Sequence, residues 1–122
     1  MKAMTEVRVR RVYDPPGPAD GQRVLVDRLW PRGLSKSAAA LNEWLKAVAP
    51  STDLRQWYGH VPERFAEFSE RYQAELRTPV AAGALAHLRD LAKAGPLTLL
   101  TATRDTQHSQ AAVLATLLRE AP

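Results

Sequence analysis

Residues 23–35 read Arg-Val-Leu-Val-Asp-Arg-Leu-Trp-Pro-Arg-Gly-Leu-Ser, and this stretch decides the fold. A strand is predicted over residues 24–29, because the continuous apolar run of residues 24–26 is typical of a strand covered on both faces. Pro31 and Gly33 prevent the strand from continuing, and Ser35 is a good N-cap for a helix. A buried strand that leads through a polar loop to a helix N-terminus is where α/β proteins tend to bind ligands. The stretch therefore predicts both a fold class and the place of a site.

Two further segments have the pattern of strands. Residues 7–10 alternate apolar and basic side chains, which is typical of a half-buried strand. Residues 97–102 read Leu-Thr-Leu-Leu-Thr-Ala and indicate a second buried strand. Because helical segments separate residues 24–29 from residues 97–102, these two strands are expected to be parallel neighbours. The strand at residues 7–10 is expected at an edge of the sheet.

Helical patterns fill most of the remaining chain. One helix is predicted from Ser35 to the break at Pro50, with Trp44 on its buried face. Together with the strands, the helices predict a small single-domain α/β fold over residues 1–122, with a short, mostly parallel sheet of about three strands flanked by helices. Four further helices are predicted over residues 54–58, from Pro62 onward, between Pro79 and Gly95, and at the end of the chain with Val113, Leu114, Leu117 and Leu118 on one face.

Composition limits the class of protein. The chain has 122 residues, of which 45% are apolar and 25% charged, as is ordinary for one globular domain. No apolar run is long enough to cross a membrane, and the first residues lack the apolar core of an export signal. We therefore expect a cytoplasmic protein with no membrane partner.

The absence of cysteine excludes a disulfide framework, a thiolate nucleophile and a Cys-based metal site. The histidines His60, His87 and His108 lack the spacing of metal ligands, so neither a metal nor a cofactor is expected. The sequence leaves the oligomeric state open.

The positive charge is concentrated in the first third of the chain. Residues 1–36 hold eight Lys or Arg against four acids, whereas the remainder holds nine of each, so the whole net charge of +4 lies there. With a pI near 9.9, this favours an anionic partner, and a nucleic-acid-binding or regulatory accessory module is one hypothesis. No helix carries a basic face, so nucleic acid is not the favoured partner. Arginines that merely protect a strand edge, or a protein-interaction domain with solvated arginines, are the alternatives.

A second hypothesis is a site for a small anionic molecule. If the two buried strands are parallel neighbours, the loops of residues 27–33 and 101–108 converge at their C-terminal ends. Each loop leads into a helix N-terminus, whose free N–H groups favour an anion, and arginine adds bidentate donors for phosphate or carboxylate. Neither a Walker nor a Rossmann glycine pattern is present. The predicted binding residues are Arg28, Trp30, Arg32, Gly33, Arg104 and Asp105.

Asp27 and His108 are candidates for acid–base catalysis at this site. A neutral histidine beside Asp105 could act as a base, and Asp27 as an acid or an orienting group. The alternative for Asp27 is a carboxylate that caps a loop and pairs with Arg104. The alternative for His108 is a surface position on a helix.

Residues 57–60, Trp-Tyr-Gly-His, form an unusual aromatic cluster. Trp57, Tyr58 and His60 are candidates for a pocket wall, or for a platform that stacks on a base. The alternative is a hydrophobic lid over the core.

The sequence resembles the DUF488 family of bacterial proteins, in its short YeaO-like branch. The Asp-Arg-Leu-Trp-Pro-Arg-Gly string of residues 27–33 is highly specific to that branch. The resemblance covers nearly the whole chain and implies a compact α/β fold without an established activity. The segments that carry it are residues 11–16, 23–35, 45–55, 57–64 and 97–102.

One departure from the family pattern bears on catalysis. Longer DUF488 proteins look as though they carry a Cys-His-Arg string after the last strand, where this chain has Ser109-Gln-Ala111. The resemblance therefore does not extend to thiol chemistry. Ser109 could serve as a nucleophile only with an aligned base such as His108, and sequence neighbours on a helix seldom face each other.

Overall fold

The computed structural model describes residues 6–120, and the sheet within this range has four parallel strands. Neighbouring strands pair in the order β1-β4-β2-β3, and each pair is parallel. The predicted α/β class is confirmed, with four strands in the described part of the chain where about three were expected. The strands are β1 (Val7–Arg11), β2 (Gln22–Leu25), β3 (Glu43–Trp44) and β4 (Leu97–Thr101).

β2 and β4 are neighbours, as the sequence predicted. Val24 lies opposite Leu99 and Leu25 opposite Leu100. β2 ends at Leu25, although the prediction placed its end at residue 29. The ladder stops because the N–H of Ala102 donates to the Asp27 side chain at 2.8 Å and not to a backbone carbonyl of β2. β1 lies at an edge of the sheet, as predicted.

The predicted helix from Ser35 to Pro50 is wrong. Ser35 does cap a helix, and its hydroxyl accepts a hydrogen bond from the N–H of Ala38. That helix, α1 (Lys36–Ala39), ends after one turn because Ala40 adopts a left-handed conformation with φ of 50°. Trp44 then lies in β3, where pairing with β2 outweighs the helical spacing of the apolar residues.

The other predicted helices are present. Short 3-10 turns precede or connect them at Lys46–Val48, Pro62–Arg64 and Thr106–His108. None of the helices within residues 6–120 is long and apolar enough to cross a membrane. The helices are α2 (Thr52–Tyr58), α3 (Phe65–Glu75), α4 (Pro79–Ala94) and α5 (Gln110–Arg119).

The two faces of the sheet are buried in different ways. On one face, Val24, Leu97 and Leu99 belong to a core that also contains buried residues of α2, α3, α4 and α5. On the other face, Leu25 and Leu100 pack with α1 and with the loops around it. The β2–α1 loop therefore leaves the C-terminal edge of the sheet toward one face, while the α2–α5 helices occupy the opposite face.

Candidate functional site

Asp27 joins three elements at the C-terminal edge of the sheet. Its Oδ1 accepts hydrogen bonds from the Thr101 hydroxyl at 2.8 Å and from Nε2 of Gln110 at 2.5 Å. Its Oδ2 accepts from the N–H of Ala102 at 2.8 Å. The end of β2 is thereby tied to the end of β4 and to the first turn of α5. Arg104, the alternative partner considered from the sequence, is exposed and does not contact this carboxylate.

The environment of Asp27 makes its ionisation less favourable than that of an exposed aspartate. Burial raises the pKa of the Asp27 carboxyl above its ordinary value, and this effect outweighs the opposing hydrogen bonds from Ala102, Thr101 and Gln110. The positive charge of Arg55 acts in the same direction as the hydrogen bonds and also lowers the pKa. Asp27 is thus a partly desolvated carboxyl that is already held by three donors.

A cleft of about 310 Å³ opens beside Asp27. It lies between the C-terminal ends of β2 and β4, helix α2 and the N-terminus of α5. Tyr58 and Phe68 supply aromatic surface to it, and Pro50 and Leu29 add aliphatic surface. Most of the other lining residues are polar or charged, so the cleft suits a polar small molecule that also makes some apolar contact.

Two arginines line the same cleft. Arg28 is half-buried, and its Nε and Nη2 donate to the carbonyls of Pro50 at 3.1 Å and Ala49 at 3.2 Å. These bonds fix the guanidinium and leave its Nη1 without a hydrogen-bond partner among residues 6–120. Arg55 extends from α2, is exposed, and its side chain has no hydrogen-bond partner in the same part of the chain. Both guanidinium groups therefore have N–H donors to offer a ligand.

His108 and Tyr58 connect α2 to the segment before α5. Nδ1 of His108 lies 2.7 Å from Oδ2 of Asp105, so this nitrogen carries a proton and Nε2 is the acceptor of the neutral ring. The Tyr58 hydroxyl donates to the carbonyl of His108 at 2.6 Å. Burial and the nearby charge of Asp105 raise the pKa of Tyr58, which keeps the hydroxyl as a donor. These contacts hold the aromatic wall of the cleft in place.

The structure brings five of the residues predicted from the sequence to this cleft. They are Asp27, Arg28, Tyr58, His60 and His108. His60 is exposed and adopts a left-handed backbone conformation with φ of 58°.

The remaining predicted residues lie elsewhere. Trp30 packs edge-to-face against Trp44 on the other face of the sheet, and its Nε1 donates to the carbonyl of Leu34 at 2.7 Å. Trp57 lies beside the guanidinium of Arg71, 4.4 Å from the ring centre. The other four, which are exposed and do not line the cleft, are Arg32, Gly33, Arg104 and Asp105.

Sequence reasoning missed Arg55, Gln110 and the local role of Ser109. Arg55 lies in α2, two residues before the aromatic cluster of residues 57–60. Gln110 is the polar first residue of a largely apolar helix. Ser109 is buried and is the N-cap of α5. Its hydroxyl donates to the carbonyl of Thr106 at 2.7 Å and accepts from the N–H of Ala112 at 3.3 Å. The hydroxyl is thus engaged in capping the helix.

The part of the chain from residue 6 to residue 120 contains no group of three His, Asp or Glu side chains positioned to hold a metal ion.

Similar proteins place the chain in a family. A family profile described as "Inactive DUF488-N3 subclade" matches residues 6–122. Uncharacterised proteins of Mycobacterium tuberculosis (Rv3073c) and Mycobacterium bovis (Mb3100c) are each 54% identical over 114 residues, which cover 93% of this chain and 94% of theirs. The uncharacterised protein YeaO of Escherichia coli is 47% identical over 93% of this chain and 96% of its own length. No solved structure matches the chain significantly. The chain therefore belongs to the DUF488 family, in the subclade described as the inactive DUF488-N3 subclade.

Proposed function

We propose that this protein binds a small anionic molecule in the cleft beside Asp27 and does not turn it over. The observation that carries the proposal is the position of Arg28 and Arg55, which line one cleft with N–H donors still free among residues 6–120. Asp27, the carboxylate of that cleft, already accepts three hydrogen bonds. Guanidinium groups recognise phosphate and carboxylate through paired donors.

The fixed geometry of Arg28 supports this role. Its two hydrogen bonds to backbone carbonyls orient the guanidinium before any ligand arrives. A side chain that is already ordered loses less conformational entropy on binding. Arg55 is exposed and therefore suits the outer part of the site, where it would attract the anion and close on it.

Binding without turnover is the reading that the site favours. The Ser109 hydroxyl, the candidate nucleophile, both donates and accepts within the cap of α5. Asp27 and His108, the predicted acid–base pair, both line the cleft, but three of the about four acceptor positions of the Asp27 carboxylate are filled by contacts that join β2, β4 and α5. The description of the subclade as inactive points the same way.

A nucleic-acid partner is less well supported, because many arginines of the first third have partners inside the protein. Arg10 and Arg23 both form ion pairs with the buried Asp20. Arg11 donates to the carbonyl of Ala102. These side chains do not form a free basic surface for a phosphate backbone.

The proposal is tested by titrating ¹⁵N-labelled protein with inorganic phosphate and with acetate at constant ionic strength. We expect saturable shifts of the amide signals of Thr103 and Gln110, which line the cleft. The substitution Arg55→Gln should weaken binding about tenfold, as expected for loss of a charged hydrogen-bond donor. Arg104→Gln makes the same charge change outside the cleft and should leave the affinity nearly unchanged. Equal losses for Arg55→Gln and Arg104→Gln, or no saturable shifts, would contradict the proposal.

A further inference from the structure

An anion alone would not fill all the hydrogen-bonding positions of the cleft. A carboxylate offers about four acceptor positions. Oδ1 of Asp27 accepts two hydrogen bonds and Oδ2 accepts one, so about one position on Oδ2 is unfilled by residues 6–120. An anionic ligand would satisfy the arginines but would leave this position empty.

Gln110 adds a second acceptor at the same place. Its Nε2 donates to Asp27, which leaves the amide oxygen Oε1 without a partner in the described part of the chain. Both side chains line the cleft and are partly buried. Among the described residues the only buried side-chain nitrogen or oxygen without a partner is Nε of Arg11, so water reaches both of these acceptors. A charged ligand donor placed here would replace that water with a stronger, charge-assisted hydrogen bond.

We propose that the ligand carries a hydrogen-bond donor, best an ammonium group, in addition to its anionic group, and that Asp27 and Gln110 bind that donor. This inference rests on the proposed function, because it assigns the second end of a ligand whose anionic end is held by Arg28 and Arg55. The class is that of small zwitterions in which a carboxylate or phosphate is separated from an amine by a short chain.

The charges of the cleft agree with this class. The ligand would place its positive group at the carboxylate and its negative group at the guanidinium groups, so that each charge faces its opposite. Burial leaves the ionised Asp27 carboxyl with stabilisation still to gain from a cation. The aliphatic and aromatic surfaces of Leu29, Pro50 and Tyr58 would contact the connecting methylene groups.

The test compares ligands that differ only in the donor. O-phosphoethanolamine and propyl phosphate have the same chain length, and one ends in an ammonium where the other ends in a methyl group. At about pH 8, where an ordinary carboxyl is ionised, we expect O-phosphoethanolamine to bind the wild-type protein about tenfold more tightly, as a charge-assisted contact predicts. The amide of Ala102, which donates to Asp27, should shift with the first ligand and much less with the second. A parallel pair, 4-aminobutanoate and pentanoate, shows whether the anionic group is phosphate or carboxylate.

Substitutions in the cleft test which residues bind the donor group of the ligand. The readout is the ratio of the two affinities in each pair. Asp27→Asn should abolish the preference for the ammonium ligand over its methyl counterpart, and Gln110→Leu should reduce that preference. Arg55→Gln should weaken the binding of both ligands of a pair equally and preserve the preference for the ammonium ligand. Circular dichroism confirms that each variant folds, and the wild-type comparison remains decisive if Asp27→Asn does not.

The outcomes separate the two proposals. If both ligands of a pair shift the cleft amides with equal affinity, anion binding stands and the zwitterion inference is wrong. If the ammonium ligand binds more tightly but Asp27→Asn keeps that preference, the inference is also wrong. If neither ligand of either pair shifts the cleft amides, both proposals fail.

Discussion

The hydroxyl of Thr101, at the end of β4, donates a hydrogen bond of 2.8 Å to the carboxylate of Asp27, which lies just beyond β2 and 74 residues earlier in the chain. Thr101 is fully buried, and its hydroxyl also accepts from the N–H of Thr103 at 3.2 Å. This relationship fixes the position of the carboxylate relative to the loop after β4. The same contact therefore joins the ends of β2 and β4 and positions the Asp27 carboxylate in the cleft.

The substitution Thr101→Val tests this contact. It keeps the shape of the side chain but removes a donor to a carboxylate, so we expect a loss of about 1.5–3 kcal/mol in the free energy of unfolding. Thr98→Val is the matched control, because Thr98 is equally buried and donates to a neutral carbonyl, that of Asp20, at 2.7 Å. Urea unfolding should show a smaller loss for Thr98→Val, of about 1 kcal/mol. A loss for Thr101→Val no larger than that of the control would contradict the role given to Asp27.

The stability contributed by Asp27 should depend on pH in an unusual direction. Because its pKa is raised in the folded state from the ordinary value of 3.8, the folded protein holds this proton more tightly than the unfolded chain does. The ionisation of Asp27 therefore destabilises the fold progressively as pH rises from that value through the folded pKa. The quantity to follow is the free energy of unfolding of the wild type minus that of Asp27→Asn. This difference should fall as pH rises over this range and then stay level. A difference that increases with pH would show that the pKa is lowered.

Asp20 should show the opposite dependence. Burial raises its pKa, but hydrogen bonds from the N–H of Gly17 and from the side chains of Arg23 and Arg10 outweigh that effect, and the net pKa is lowered from 3.8. Its stabilising contribution is present above this ordinary value and is lost as pH falls through the folded pKa. Asp20→Asn should cost about 3 kcal/mol at neutral pH, because the buried Arg23 loses its ion partner. The cost should shrink in acid, and a cost independent of pH would contradict the assigned pairing.

Two glycines with left-handed backbones should respond differently to alanine. Gly21 has φ of 62°, and a Cβ there would lie 2.2 Å from the carbonyl oxygen of Pro96, which is a rigid backbone atom. Gly33 has φ of 73°, and a Cβ there would meet nothing within 4 Å. Gly33→Ala should therefore cost about 1 kcal/mol from backbone strain alone, and Gly21→Ala clearly more. Thermal unfolding of both variants provides the comparison, and equal costs would show that the close approach at Gly21 is relieved by a small movement.

The strands of the central sheet could be predicted because their residues are apolar on both faces. The pattern of residues 24–26 and 97–101 is local, and the prediction that they form parallel neighbours is confirmed. The prediction of a helix from Ser35 to Pro50 was wrong because residues 43–44 form β3 by pairing with β2, and no local sequence pattern predicts that pairing. Asn42 illustrates the difference, since its side chain accepts from the N–H of Arg23 and extends the pairing.

The candidate site could be predicted only in part, for a related reason. Asp27 and Arg28 follow directly from the end of a strand, and His108 from the loop after β4. Arg55 and Gln110 reach the cleft through the packing of α2 and α5 on the sheet, which depends on tertiary contacts. Trp30 was misplaced because the chain turns to the other face of the sheet beyond Leu29, where the ring packs against Trp44.

A crystal structure of the protein grown with tungstate, a tetrahedral oxyanion with a strong anomalous signal, tests the central claim most directly. We predict one anomalous peak in the cleft, with its oxygens within hydrogen-bonding distance of Arg28 and Arg55, and no such peak in crystals of Arg55→Gln. A cleft that stays empty at a tungstate concentration that fills other positions would contradict anion binding at this site.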